Sequence, residues 1–165
     1  MKAAVSKRSL LSGAAAALSA IGFGGCSRRS EAKTGEHFEV SKTPAEWKRQ
    51  LGADRYAVLR EESTERAGSS PLNKEKRRGT YVCAGCALPL YSSATKCESG
   101  TGWPSFFKPL PNAVQTKADR GIFGTRTEVH CRRCGGHLGH VFADGPPPTG
   151  KRYCMNGAAM MFDVA

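Results

Sequence analysis

The chain has 165 residues, enough for one domain of ordinary size, and 39% of them are hydrophobic, which allows a modest core. Lysine and arginine number 25 against 14 acidic residues, giving a net charge of +11. Residues 1–29 contain five basic residues and no acid, so the remainder carries 20 against 14. Those charges are scattered and lack the interleaved aromatic residues of a single-strand-binding surface, which argues against a nucleic-acid partner.

The first 26 residues have the pattern of an export signal. A basic start precedes an apolar stretch from Leu10 to Phe23, which is too short and too rich in alanine and glycine for a transmembrane helix. The letters SKRSLL resemble a twin-arginine signal with Lys7 in place of the first arginine, and FGGC resembles a lipoprotein cleavage box ending at Cys26. We therefore predict export to the bacterial periplasm or cell envelope, with either a lipid anchor on Cys26 or a plain signal peptide cleaved elsewhere.

Residues 27–42 are polar and charged, which predicts a flexible tether before the folded domain. Thr43 is then an expected N-cap, with a proline at the first helical position and Glu46 completing a capping box. We predict a short helix that ends near Gly52 and a second helix that begins after Asp54.

The domain from residue 43 to 165 is predicted to be mainly β. Turn-forming residues separate six strand-like runs: GTYVC, LPLYS, FGTRTEVHC, HLGHVF, KRYCM and AMMFDVA. We expect two antiparallel sheets in a β-tent-like arrangement, with the short helices packed over the sheet.

Four cysteines occur in two CxxC pairs, CAGC and CRRC, the ligands being Cys83, Cys86, Cys131 and Cys134. Two such knuckles supply four thiolates for a tetrahedral zinc ion, and a closed shell of this kind is structural. The rival interpretation is redox-active or disulfide-bonded pairs, which an exported protein would allow. Two similar pairs are harder to explain as separate redox centres, so we predict one structural zinc that clips distant hairpins together.

Cys154 stands apart from these pairs in the stretch TGKRYCMNG. An unpaired cysteine is most often buried and inert. Arg152 and Asn156, however, lie two residues away on either side, where a strand would turn both side chains to the face of the sulfur. A cation and an amide near a thiol favour the thiolate, which is the nucleophilic form.

Two further clusters carry chemistry. His137 and His140 are three residues apart in HLGHVF and are either core or metal-binding histidines, or proton donors near a thiolate. Trp103 follows a glycine-rich loop in SGTGWPSF and is either core filler or an aromatic wall for a small apolar group such as a methyl.

Taken together, SGTGWPSF, HLGHVFADGP, TGKRYCMN and the two CxxC pairs resemble the methionine sulfoxide reductase B family from about Glu46 to Phe162. The resemblance implies a zinc-bound fold of two antiparallel sheets that reduces the R epimer of methionine sulfoxide. It implies these roles: Cys154 as nucleophile, His137 and His140 as positioning and protonating groups, Trp103 and Phe142 as substrate-binding residues, Arg152 and Asn156 as supports for the sulfur chemistry.

The oxidised nucleophile, a sulfenic acid, must then be reduced. Many family members have a resolving cysteine in the loop, as SGCGWPSF, for reduction by thioredoxin, whereas this chain has Thr101. Cys97 is the remaining uncommitted thiol of the domain. It is either a substitute resolving cysteine or a buried replacement for an aromatic residue, in which case an external thiol reduces the sulfenic acid directly.

Other functional classes explain fewer of these features. A noncatalytic zinc module that binds partners has no use for Cys154, the two histidines and Trp103 together. A nucleic-acid-binding zinc ribbon does not explain the export signal, and a thiol peroxidase or disulfide reductase remains the rival enzyme class. We expect a monomeric enzyme that repairs oxidised exported proteins, with thioredoxin or a thioredoxin-like protein as reductant.

Overall fold

The computed structural model describes residues 37–121 and 124–165, so the predicted export signal, Cys26 and the first part of the tether lie outside it. The described helix is α1 (Pro44–Glu61). The described strands are β1 (Gly79–Cys83), β2 (Pro89–Ser92), β3 (Lys96–Cys97), β4 (Ser105–Phe106), β5 (Val114–Gly121), β6 (Gly124–Cys131), β7 (His137–Phe142), β8 (Arg152–Met155) and β9 (Met160–Val164). Short 3₁₀ turns lie at Pro71–Lys74, Ser93–Thr95 and Gly157–Ala159. Across these two ranges, no helix has the length and apolar character needed to cross a membrane.

Helix α1 begins at the predicted cap. The Thr43 hydroxyl accepts a hydrogen bond from the Glu46 N–H at 3.3 Å, and the Glu46 carboxylate accepts one from the Thr43 N–H at 2.8 Å. Gly52, with φ 71° and ψ 177°, interrupts the helix where two separate helices were expected. Both halves bury their apolar side chains in one core: Trp47, Leu51, Val58 and Leu59.

The last residues of the predicted tether lie against the domain. The Phe38 ring meets the His130 ring edge-on at 6.0 Å, and the Val40 N–H donates to the Arg133 carbonyl at 3.0 Å. The ordered contacts therefore begin a few residues earlier than the predicted boundary at residue 43.

The strands form two antiparallel sheets, which confirms the predicted mainly-β fold. One sheet has three strands in the order β2-β1-β9, and the other has six in the order β3-β4-β8-β7-β6-β5. Aromatic side chains pack between the sheets, since Phe106 of β4 stacks on Tyr91 of β2 at 4.3 Å and meets Tyr81 of β1 at 4.8 Å. The Tyr91 hydroxyl also donates to the Met155 sulfur at 3.1 Å. These contacts fix the position of β8, the strand that carries Cys154.

All six predicted strand-like runs are strands, whereas the two-residue strands β3 and β4 were not predicted. Neither was the much longer strand β5. Its sequence, VQTKADRG, is polar, and most of its residues are exposed on both faces. No alternation of apolar and polar residues marks such a strand. Its eight-residue pairing with β6 holds it in the sheet.

Candidate active site and metal centre

Cys154 lies on an inner strand of the six-stranded sheet. Its cross-strand partners are Ser105 on β4 and His140 on β7. Residues directly opposite each other in an antiparallel pair project from the same face of the sheet. The pairing therefore brings the thiol, the imidazole and the serine hydroxyl together on one face.

A bulge in β7 brings the second histidine to this face. Val129 pairs with Gly139 while the next residue, His130, pairs with His137, so β7 contains one extra residue. Residues three apart on a regular strand would face opposite sides. Here the rings of His137 and His140 lie 5.4 Å apart. Gly139 has φ 154°, and a side chain there would approach the Cys154 carbonyl oxygen to 2.2 Å.

A cavity of about 130 Å³ opens beside the Cys154 sulfur. It is lined by Thr64, Trp103, Arg126, Gly139, His140, Phe142, Cys154 and Asn156. Five residues singled out in the sequence therefore meet here: Trp103, His140, Phe142, Cys154 and Asn156. His137, Arg152 and Cys97 do not line this cavity.

His140 is held through one ring nitrogen by Asp119 of β5. The Nε2 to Oδ2 distance is 2.8 Å, and the same carboxylate oxygen accepts a hydrogen bond from Arg126 at 2.7 Å. These hydrogen bonds, first that from His140, lower the pKa of Asp119, so the carboxylate is ionised and His140 Nε2 is the donor. Burial lowers the pKa of His140, and the contact with Asp119 opposes part of that shift. Nδ1 is left as the nitrogen that can exchange a proton with a ligand.

His137 is buried behind His140 and is held by Glu128 of β6. Its Nδ1 lies 3.0 Å from Glu128 Oε1, and Lys117 Nζ lies 2.9 Å from Glu128 Oε2. Burial alone would raise the pKa of Glu128, but hydrogen bonds from His137 and Lys117 outweigh it and lower that pKa. Among the described residues, none is hydrogen-bonded to the buried Nε2 of His137.

Arg152 lies against Phe142, one of the residues that line the cavity. Its guanidinium donates to both carboxylate oxygens of Asp144, at 3.0 and 2.8 Å, and lies 4.5 Å from the Phe142 ring centre. Asp144 first, and to a smaller degree Cys154, raise the pKa of Arg152. The guanidinium is thus a fixed positive charge near the thiol.

Asn156 holds the scaffold of the cavity. It follows the end of β8 rather than continuing the strand, and its amide donates to the Leu138 carbonyl at 3.2 Å. Its oxygen accepts the Glu65 N–H at 3.0 Å. The Trp103 Nε1–H donates to the Glu65 carbonyl at 3.1 Å. The Glu65 main chain therefore joins the tryptophan to the loop after β8.

Cys97 and Thr101 occupy different places relative to Cys154. The Thr101 hydroxyl oxygen lies 3.7 Å from the Cys154 sulfur. Cys97 pairs with Ser105, which in turn pairs with Cys154, so two strand spacings, roughly 10 Å, separate the two cysteines. Burial raises the pKa of Cys97, which disfavours its thiolate.

The four cysteines of the CxxC pairs meet where the turn that joins β6 and β7 lies beside the end of β1. All four sulfurs lie within 4.8 Å of one another, with Cys83 to Cys134 at 3.7 Å and Cys86 to Cys131 at 3.5 Å. A tetrahedron with metal–sulfur bonds of about 2.3 Å has edges of about 3.8 Å, so the spacing suits a four-coordinate metal ion. This confirms that the two pairs form one site.

Helix α1 braces both knuckles of this metal site. The Gln50 amide donates to the Gly85 carbonyl at 2.7 Å, and the Arg60 guanidinium donates to the Cys134 carbonyl at 2.9 Å. Hydrogen bonds among the four thiols lower the pKa of Cys86 and Cys131 and raise that of Cys83 and Cys134.

Comparison with known proteins places this architecture in a family. The SelR domain matches residues 51–164. The chain belongs to the SelR family. A protein named peptide methionine sulfoxide reductase MsrB from Leptospira interrogans is 50% identical over 76% of this chain and 97% of its own length. One of the same name from Methanosarcina barkeri is 52% identical over 74% of this chain and 87% of its own.

One solved structure aligns more distantly. The Mis18 "Yippee-like" domain covers 54% of this chain and 98% of its own, with a TM-score of 0.45 and 16% identity. That degree of similarity is too low to bear on this SelR protein.

Several contacts of this SelR site were not anticipated from the sequence. Glu65, Asp119 and Glu128 hold the tryptophan and the two histidines, and Thr64 lines the cavity. Asp119 and Lys117 lie on β5, the strand with no sequence signal. A carboxylate close to a histidine is commonly what fixes its tautomer, but the partner is far along the chain and only the sheet pairing reveals it.

Proposed function

We propose that this protein reduces methionine sulfoxide in peptides and proteins, and that it acts on the R epimer through a sulfenic acid on Cys154. One observation supports this proposal most strongly: Cys154, His140 and Trp103 line one cavity of about 130 Å³ in a chain of the SelR family. That volume is below the range of ligand pockets for drug-sized molecules and suits a single side chain. Membership of a family whose curated relatives are named methionine sulfoxide reductases supports the substrate class.

The first half of the reaction uses groups already adjacent. The Cys154 thiolate attacks the sulfoxide sulfur, and a proton from the His140 imidazolium passes to the sulfoxide oxygen. The oxygen then leaves with the cysteine, so the products are methionine and Cys154 sulfenic acid, and the two electrons come from the thiol. His137, held by Glu128, positions His140, and Arg152 supplies positive charge near the attacking sulfur.

Three separate contacts explain a preference for one epimer. In the proposed complex Trp103 holds the methyl group, His140 faces the oxygen and Cys154 approaches the sulfur. Three fixed contacts around a pyramidal sulfur can be satisfied by only one of its mirror-image forms. Each methionine sulfoxide epimer is in general reduced by its own enzyme type.

The second half of the reaction restores the thiol. We propose that an external thiol, from thioredoxin or a thioredoxin-like protein, attacks the sulfenic acid, forming a mixed disulfide and water, and that a second thiol releases Cys154. A route through Cys97 would give the same products, but disulfide bonding needs Cα atoms within about 7 Å, so Cys97 would have to move. The geometry therefore favours the external thiol.

The metal site has a structural role in this proposal. Four cysteine sulfurs complete the shell of a zinc ion, so no coordination position is left for substrate. We propose zinc because four cysteine ligands in two CxxC pairs are typical of structural zinc sites. The bound ion would hold β1 near β6 and β7 through Cys83, Cys86, Cys131 and Cys134.

The proposal about where the protein acts is based on the sequence of residues 1–26 alone. We propose that the protein is exported and repairs oxidised proteins of the cell envelope, either anchored through a lipid on Cys26 or released. Fractionation of cells producing the full chain tests this, since recovery of uncleaved protein in the cytosol alone would contradict export.

The reaction itself is tested by trapping the intermediate. Purified residues 27–165 are mixed with one equivalent of an oxidised methionine peptide without reductant, then treated with dimedone. One methionine formed per dimedone adduct on the Cys154 peptide supports the proposal. Methionine formation with no adduct on Cys154, or turnover of peroxide but not of sulfoxide, would contradict it.

A further inference from the structure

Three hydroxyl groups connect the Cys154 sulfur to a backbone carbonyl. Thr101 Oγ1 lies 3.7 Å from the sulfur and 2.8 Å from Ser99 Oγ, which lies 2.8 Å from Ser105 Oγ. The Ser105 hydroxyl in turn lies 3.2 Å from the Trp103 carbonyl oxygen. We name Thr101, Ser99 and Ser105 the hydroxyl chain. It has four contacts in series, with the thiol at one end and an acceptor that cannot donate at the other.

The number of protons fixes the direction of the hydroxyl chain. Each hydroxyl donates one hydrogen bond, so three hydroxyls and one thiol supply four protons for four contacts. In the thiol state every group donates away from the sulfur and Ser105 donates to the Trp103 carbonyl. In the thiolate state only three protons remain, so one of the four contacts must be lost.

Charge determines which contact is lost. A hydrogen bond to an ionised acceptor is roughly twice as strong as one between neutral groups. The thiolate therefore keeps its contact with Thr101, all three hydroxyls turn towards the sulfur, and the neutral contact between Ser105 and the Trp103 carbonyl is lost. Ser105 is buried and directly opposite Cys154 in the sheet, so the reversal needs hydroxyl rotation and no movement of the backbone.

We propose that the hydroxyl chain is a reversible donor that stabilises the Cys154 thiolate, with Thr101 as a catalytic residue and Ser99 and Ser105 as positioning residues. This rests on Cys154 being the nucleophile of the proposed function. Thr101 supplies the hydrogen bond that the anion receives. In the thiol state Ser99 accepts the Thr101 proton, and Ser105 completes the series of hydrogen bonds. These two serines therefore compete with the Cys154 sulfur for the Thr101 proton.

The proposal predicts opposite effects at two positions. Thr101→Val removes the donor, so the thiolate loses its hydrogen bond. Ser99→Ala removes the group that competes for the Thr101 proton, so Thr101 can donate to the sulfur at no loss elsewhere. A merely structural role would instead impair both variants in the same direction.

The test is the pH dependence of Cys154 alkylation by iodoacetamide, with the labelled peptide quantified by mass spectrometry. For Thr101→Val we expect a midpoint higher by roughly one pH unit, from the usual strength of a hydrogen bond to a charged group. At pH 7 the rate falls about threefold, since a more basic thiolate is also intrinsically more nucleophilic. Thr101→Ser should behave as the unmodified protein, and Ser99→Ala should have a lower midpoint.

The matched control is Thr116→Val, which makes the same change at an exposed position of β5 and should leave alkylation unaltered. A Thr101→Val midpoint equal to that of the unmodified protein would overturn the proposal. So would a Ser99→Ala midpoint that is not lower than that of the unmodified protein. Because no sulfoxide is present, the outcome is independent of whether the protein reduces methionine sulfoxide.

Discussion

Cys154 and His140 lie directly opposite each other on the adjacent strands β8 and β7, so sheet pairing places the proposed nucleophile and the proposed proton donor on one face. Neither group depends on a flexible loop for its position. A site carried on paired strands is held more rigidly than one built from loops. The proposed chemistry therefore starts from a preformed pair, to which the loop with Trp103 adds the substrate wall.

The Asp119 contact predicts a pH effect of known sign. As the proposed acid, His140 can give a proton only when it is protonated, so we expect turnover to fall as pH rises through its lowered pKa. Asp119→Asn removes the carboxylate that opposes the lowering, so the pKa of His140 falls further. We expect the alkaline limb of the pH–rate profile to move to lower pH. Asp163→Asn, an exposed acid on β9, is the matched control, and identical profiles for the two variants would refute the role of Asp119.

Glu65 predicts coupled losses of stability and activity. Its carboxylate oxygens accept the N–H groups of Gly157 and Ala158, at 2.7 and 2.8 Å. In Glu65→Gln the side-chain NH₂ group replaces one of the two acceptor oxygens, so one backbone N–H loses its hydrogen bond. We expect this loss to lower the free energy of unfolding by about 1–3 kcal/mol. The Glu65 carbonyl also accepts the Trp103 Nε1–H, so a shift of the Glu65 main chain would displace Trp103. We therefore expect KM for the sulfoxide peptide to rise. Denaturant unfolding and kinetics measure both effects, and Glu61→Gln, an exposed change at the end of α1, should show neither.

The metal site predicts one zinc per chain and a loss of folding on its removal. Cys134→Ser should abolish stoichiometric zinc in atomic absorption and lower the thermal midpoint, because metal-binding free energy contributes to folding. Cys97→Ser, at a thiol outside the cluster, should retain one zinc. Full zinc content in Cys134→Ser would contradict a four-sulfur site.

The positions of Cys97 and Thr101 predict how the enzyme is recycled. Cys97→Ser should keep its turnover with both dithiothreitol and thioredoxin, because an external thiol reaches the sulfenic acid directly. A loss of the thioredoxin-dependent rate alone would instead assign the resolving role to Cys97. Thr101→Cys places a thiol beside Cys154, and after one turnover without reductant it should contain an intramolecular disulfide, detected as a loss of two free thiols.

Much of the fold could be predicted from the sequence because its signals are local. The cap at Thr43, the break at Gly52 and the six alternating strand runs each depend on neighbouring residues. The spacing of the cysteines in the two CxxC pairs was enough to predict a common metal site. Strand β5 could not be predicted, because its exposed polar residues are held only by pairing with β6.

The active site was less predictable for the same reason. The motifs indicated Cys154, His140 and Trp103, but the bulge that turns His137 towards His140 appears only in the register of β6 and β7. The contacts of Asp119 with His140, of Glu128 with His137 and of Glu65 with Trp103 span 21, 9 and 38 residues. Such partners are set by topology and carry no mark in the sequence.

The most direct test of the account is single-turnover reduction of resolved R and S epimers of a methionine sulfoxide peptide by purified residues 27–165, with Cys154→Ser as control. We predict that the R epimer alone is converted to methionine and that the control converts neither. Equal conversion of both epimers, or activity that survives in Cys154→Ser, would contradict the assignment of the reaction and its nucleophile.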